Sequence, residues 1–149
     1  MTLARAIELA RAGRDRAYPK PTVGAVVVAD VAATIRTARE HELQVGVAFN
    51  PESEPEEVAA VAGGADVVLC MSIHPGYSGQ PFMEEAYDRV RRLRLALPSS
   101  VHIQVDGGVG PENIKQLNEC GATLFVAASS IFSREDLPRA YRRLVQSLA

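Results

Sequence analysis

Short, almost wholly apolar runs alternate along this chain with longer stretches whose apolar residues recur every three or four positions. The apolar runs at residues 23–28, 45–49, 67–71, 101–105 and 124–127 predict strands. The helical spacing predicts helices over residues 3–14, 32–42, 55–62, 82–97 and 137–148. A further helix is opened by Pro111-Glu112-Asn113-Ile114 and closed by Gly121. Punctuation agrees with this division. Pro19 and Pro21 break the chain after the first helix, Asn50-Pro51 stops the second strand, and Gly63-Gly64 ends the third helix. Glu54, Glu56 and Glu57 suit the positive end of that helix's dipole. On the longest helix Phe82, Ala86, Val90, Leu93 and Leu97 form the apolar stripe, and Arg89, Arg91, Arg92 and Arg94 are expected to make a solvated face.

Strands that are apolar along their whole length and separated by helices are buried on both faces, which predicts an α/β fold with a parallel sheet. Right-handed crossovers then place every strand's carboxyl end on one edge. Asn50, His74, Asp106 and Ser129 are expected to gather there. Such an edge is where α/β barrels carry their chemistry. The strand end Val105-Asp106-Gly107-Gly108-Val109 stands out, because it offers a carboxylate followed by two residues with no Cβ to keep a ligand from the backbone. An Asp-Gly pair that merely turns the chain is the structural alternative. The segment Gly76-Tyr77-Ser78-Gly79-Gln80 reads as a loop between rigid elements, and Met71 as a core residue.

Composition narrows the function classes. The 149 residues suit one domain with its own core, and 47% apolar with 23% charged residues is ordinary for a globular protein. A formal charge of −2 leaves no electrostatic footprint for nucleic acid. No apolar run approaches the ~20 residues of a membrane span, and residues 1–8 lack the continuous apolar stretch of a secretion signal. Cys70 and Cys120 are too few and too unpatterned for a disulfide framework or a zinc site and are expected to be buried thiols, which points to the cytoplasm.

From about residue 31 to Ala149 the chain resembles the carboxyl-terminal half of ribulose-phosphate 3-epimerase. The segment Val45-Gly46-Val47-Ala48-Phe49-Asn50-Pro51 is similar to that family's fifth strand. Residues 71–82, from Met71-Ser72-Ile73-His74-Pro75-Gly76 to Gln80-Pro81-Phe82, resemble its sixth strand and the loop over the substrate. Residues 105–109 resemble the seventh strand, and Val126-Ala127-Ala128-Ser129-Ser130-Ile131-Phe132 the eighth. Residues 1 to about 30 resemble the start of the riboflavin-biosynthesis pyrimidine deaminase, on the helix at 3–14 and Pro19-Lys20-Pro21-Thr22-Val23-Gly24. The deaminase zinc motifs do not occur, so deamination is excluded. The division expected is residues 1–30 as a deaminase-like helix and strand, not an independent domain, and 31–149 as an epimerase-like half barrel, a fusion joined near Asp30-Val31.

The resemblance implies a partial (β/α)8 barrel of about five parallel strands, with residues 23–28 standing in for a lost fourth strand. It implies the interconversion of ribulose 5-phosphate and xylulose 5-phosphate, with a divalent metal held by two aspartates and two histidines and the aspartates acting as acid and base. Asp106 matches one aspartate as catalytic residue and metal ligand; His41, His74 and His102 do not match the histidines. Gly107, Gly108, Ala128 and Ser129 resemble the phosphate cradle, with Ala128 where the family usually has glycine, and Gly76, Tyr77, Ser78 and Gly79 belong to the closing loop. Epimerisation needs proton removal on one face and delivery on the other, with a cation on the enediolate. A single carboxylate leaves the chain truncated for that chemistry, inactive alone and without a stably bound metal. The alternative is a non-catalytic fragment that binds a phosphorylated pentose or phosphate. Val47, Val68, Leu69, Ile103 and Phe125 are expected to form an inner face in need of cover, which predicts a homodimer.

Overall fold

The computed structural model describes residues 30–74 and 80–149. The chain divides into two compact units, Met1–Leu43 and Gln44–Ala149. In the first unit the described element is helix α1, Val31–Glu40. Asp30 caps it, its carboxylate accepting from the Ala33 N–H at 2.8 Å. The helix ends two residues earlier than its spacing predicts, because Glu42 takes a left-handed φ of 56° and its N–H turns back to the Arg39 carbonyl. The expected helix at 3–14 and strand at 23–28 lie outside the described residues.

The second unit runs β1 (Gly46–Phe49), α2 (Pro55–Ala62), β2 (Val67–Met71), α3 (Glu85–Ala96), β3 (His102–Asp106), α4 (Ile114–Glu119), β4 (Leu124–Val126), α5 (Ser129–Phe132) and α6 (Leu137–Gln146). The strands form one parallel sheet in the order β1-β2-β3-β4. Strand identity and order agree with the apolar runs, and four of the five expected strands fall within the described residues. Boundaries shift by one to three residues. Pro111 and Phe82 lie in the turns before α4 and α3 rather than inside them, and Ala127 lies beyond β4.

Alternation along the strands sorts the sheet into two faces. Phe49, Val68, Cys70, Ile103 and Val105 point to the face packed by Val58, Ala62, Val90, Leu93 and Leu117 from the helices. Leu69, Met71, Gln104, Asp106 and Val126 take the other face and stay half-buried. The expected inner face is therefore corrected. Val47 pairs with Val68, Val68 with Ile103, and Phe125 with Val105, all on the helix-covered side. Of the five residues Leu69 alone belongs to the open face. Met71, read from sequence as core, is half-buried there too.

Of the arginines of α3, Arg91 is exposed as expected, and the other three depart from a solvated face. Arg92 pairs with Glu54 at 2.7 Å and with Glu56, tying α3 to the start of α2 and holding the Glu56 carboxyl below its usual range. Arg94 donates to the carbonyls of Val101, Leu97 and Pro98 and so closes its own helix onto β3. Arg89 is only 6% exposed. Its Nη2 donates to the Met71 carbonyl at 2.7 Å, while Nε and Nη1 find no partner among the described residues. At the opposite sheet edge Asp66 knits the strands: its carboxylate accepts from Val45 N–H at 2.6 Å and its carbonyl from His102 N–H at 2.9 Å.

Both cysteines are free and buried, as their apolar settings predict. Burial pushes the Cys70 thiol up to about 11. A thiol with that pKa is protonated at pH 8, so Cys70 has no thiolate to react there. A chromogenic disulfide reagent at pH 8 should leave Cys70 unlabelled in the native protein and label it fully in urea; rapid native labelling of Cys70, located by peptide mapping, would contradict the burial described.

Candidate functional site at the carboxyl edge of the sheet

Parallel pairing brings the carboxyl ends of β1 to β4 to one edge, with Met71 opposite Asp106 and Asp106 opposite Val126. The alternation that buries Val105 completely turns Asp106 to the half-buried open face. Asn50 and Ser129, which follow the ends of β1 and β4, are exposed at the same edge. His74, three residues past β2, is exposed and its Nδ1 lies 2.8 Å from Glu52 Oε1. His102 begins β3 at the opposite edge, against Thr123 at 3.0 Å. His41 ends α1 in the first unit. Gly76, Tyr77, Ser78 and Gly79 lie outside the described residues.

Beyond Asp106 the β2–β3 ladder continues through a side chain. Ser72 is fully buried. Its N–H donates to the Asp106 carbonyl at 2.8 Å. Its hydroxyl lies 2.9 Å from that oxygen and 2.6 Å from the Gly107 carbonyl, sharing one proton between them. Its own carbonyl accepts from Met83 N–H at 3.0 Å. The turn that follows is possible only for glycine. Gly107 has φ 122°, and a Cβ there would stand 2.6 Å from Ile73 Cγ1 and 2.9 Å from the Ile73 backbone nitrogen. Gly108 has φ 63°, and a Cβ there would stand 3.1 Å from the Phe82 backbone nitrogen.

Two further side chains complete the turn. Asn113, 4% exposed, donates through Nδ2 to the Gly108 carbonyl at 2.9 Å and accepts through Oδ1 from Gly110 N–H at 2.9 Å. Ser130 donates to the Val109 carbonyl at 2.8 Å and so binds the start of α5 to the turn after β3. Ala128, in the place where glycine is usual, has φ −107° and accommodates its Cβ without left-handed strain. Sequence reasoning passed over the structural parts of Ser72, Asn113 and Ser130. The available signal was a small polar residue within two positions of a strand or helix end, with no apolar reason to be buried.

The donor set does not fit the metal cage that the resemblance implies. Among the described residues no three His, Cys, Asp or Glu side chains converge to hold a metal ion. A cleft of about 360 Å³ lies between α3 and the α4 region, lined by Arg91, Glu112, Lys115, Gln116, Glu119 and Cys120. It is made of helix residues of mixed charge and contains none of the strand ends. Among the described residues no helix is long and apolar enough to cross a membrane.

A parallel sheet alternating with helices, with its polar turns on the carboxyl edge, is part of an α/β barrel. Solved barrels overlay on it: a 3-hexulose-6-phosphate synthase with TM-score 0.57 and 23% identity, over 80% of this chain and 56% of that one, and a mutant tryptophan synthase alpha-subunit from Pyrococcus furiosus with TM-score 0.60 and 20% identity, over 83% and 52%. At such identities the likeness concerns the fold alone. Sequence relationship is more specific. The family model "Ribulose-phosphate 3 epimerase family" matches residues 22–132. Ribulose-phosphate 3-epimerase of Serratia marcescens is 37% identical over 69% of this chain and 50% of its own length. That of Escherichia coli K12 is 33% identical over 78% of this chain and 53% of its own. The chain belongs to the ribulose-phosphate 3-epimerase family. It spans about half the length of the curated relatives it matches. The family match begins at Thr22, ahead of the junction expected near Asp30-Val31.

The glycine turn yields a stability test. Gly107→Ala should cost about 2 kcal/mol or more in urea unfolding, from its left-handed φ and the Ile73 clash. Gly46→Ala should stay within about 0.5 kcal/mol, since the nearest atom to its Cβ is Val67 O at 3.9 Å. Equal costs at the two positions would refute the turn geometry.

Proposed function

We propose that this chain carries the phosphate-holding and single-acid part of a ribulose-phosphate 3-epimerase site, and that on its own it binds a phosphorylated pentose without turning it over. The observation that carries the reading is the Ser130–Val109 hydrogen bond, which sets the turn after β3 beside the start of α5. Gly107 and Gly108 then stand with Ala128 and Ser129 as one cradle, where backbone N–H groups can hold a phosphate dianion. Gly76, Tyr77, Ser78 and Gly79 are proposed to contribute to binding the same ligand. Asp106 beside the cradle is suited to act on one face of the carbon next to the sugar carbonyl. The opposite face needs a second acid, and the enediolate needs a cation. The proposed setting is the cytoplasm, where Cys70 and Cys120 stay reduced.

The test uses the whole chain. With ribulose 5-phosphate, and with zinc or manganese added, turnover should not exceed background. In a heteronuclear NMR titration, inorganic phosphate should shift the amides of Gly107, Gly108, Ala128 and Ser129. Turnover that Asp106→Asn abolishes would overturn the inactive reading. Shifts confined to other amides would overturn the cradle.

We also propose that a second copy of the chain covers the open sheet face. Leu69, Met71 and Val126 are half-buried there and Leu124 is 38% exposed. These apolar residues flank Gln104 and Asp106 on the same face; partly exposed apolar surface of this kind suits an interface, and a symmetric pair is the commonest closed solution. Sedimentation equilibrium should give a dimer, and Leu69→Asp, which places a charge on that face, should give a monomer. A monomeric parent chain would refute the pairing.

A further inference from the structure

Four consecutive carbonyls after β3 are each held by a named donor. Asp106 O accepts from Ser72 N–H at 2.8 Å, and Gly107 O from the Ser72 hydroxyl at 2.6 Å. Gly108 O accepts from Asn113 Nδ2 at 2.9 Å, and Val109 O from Ser130 Oγ at 2.8 Å. In a trans peptide the N–H points opposite to the carbonyl of the preceding residue. Pinning the carbonyls of Asp106 and Gly107 on Ser72 therefore turns the N–H groups of Gly107 and Gly108 away from Ser72. Pinning Gly108 O on Asn113 does the same for Val109 N–H. The next N–H in line, that of Gly110, is used by Asn113 Oδ1.

We infer that Ser72 and Asn113 are positioning residues that preset three successive backbone donors, the N–H groups of Gly107, Gly108 and Val109, for an anion. The inference rests on the phosphate-binding reading above and adds what makes the cradle rigid. A glycine pair is otherwise the most mobile backbone available, and holding it in one conformation before the ligand arrives removes an ordering cost from binding. Both residues are suited to this. Ser72 and Asn113 are buried among packed groups, so their bonds do not exchange with water. They also approach the turn from different elements, Ser72 from the end of β2 and Asn113 from the N-cap of α4. Neither would touch the anion.

Phosphate affinity of the whole chain, read from the amide shifts of Gly107, Gly108 and Val109, tests this. Ser72→Ala and Asn113→Ala should each weaken binding roughly 5- to 10-fold and broaden or move those three amides in the absence of phosphate. Ser72→Thr, which keeps the hydroxyl, should recover most of the affinity. Val90→Ala, a core truncation on α3, should lower thermal stability while leaving phosphate affinity within about 2-fold. If Ser72→Ala and Asn113→Ala bind as the parent does, the positioning inference fails while the cradle stands. If Val90→Ala weakens binding as much as they do, their effect is general destabilisation and the inference fails again. If the parent itself shows no shifts at these amides, the phosphate-binding reading fails first.

Discussion

The pairing of Met71 with Asp106, continued by Ser72, is the constraint on which the rest of the site depends. A parallel ladder ordinarily ends where its strands diverge, leaving carbonyls to water. Here buried Ser72 takes over the ladder at that point, its N–H and hydroxyl holding the carbonyls of Asp106 and Gly107. Everything at the carboxyl edge inherits its position from this splice. The acid emerges on the open face because Val105 is committed to the core, the Gly107 turn is forced against Ile73, and Asn113 and Ser130 then clamp the turn from two further elements. The site is thus held by the sheet and not by the loops that surround it.

The helix-covered face supplies the rigidity behind this edge. Val68, Cys70, Ile103 and Val105 lie completely out of contact with water against α3 and α4, and Arg94 fastens the end of α3 to the start of β3. The opposite face is built differently. Among the described residues it carries a half-buried mix of Leu69, Met71, Gln104 and Val126, the side that in a closed barrel faces the interior. The same register that collects the strand ends at one edge leaves Leu69, Met71 and Val126 half-buried on that face.

Much of this was legible in the sequence, for a reason that also marks where reading stopped. Apolar runs such as residues 67–71 and 101–105 locate strands because burial on both sides of a sheet demands continuous hydrophobicity, and Asp106-Gly107-Gly108 announces its turn through residues that few other settings require. Facing was less legible. Val47, Val68, Leu69, Ile103 and Phe125 are chemically alike, and only the register separates Leu69 from the rest. The arginines of α3 misled because a long cationic side chain on a helix is normally solvated, whereas Arg89 and Arg94 find backbone carbonyls that no sequence pattern displays. Ser72 and Asn113 were hidden by their ordinariness: a serine after a strand and an asparagine before a helix are common, and their importance lies in long-range bonds.

The buried guanidinium of Arg89 carries a consequence for how this half of the fold can change. A buried cation with two N–H groups unanswered among the described residues is a standing penalty, and replacing such a group with an apolar side chain of similar size is often neutral or stabilising. Yet its one satisfied bond ends on the carbonyl of Met71, a single peptide from Ser72. Selection for a tougher fold and selection for the proposed anion cradle would therefore pull this position in opposite directions. A lineage that loses its ligand would be free to drift to an aliphatic residue here, which makes the identity of the side chain at 89 a natural marker of whether the carboxyl edge is still in use.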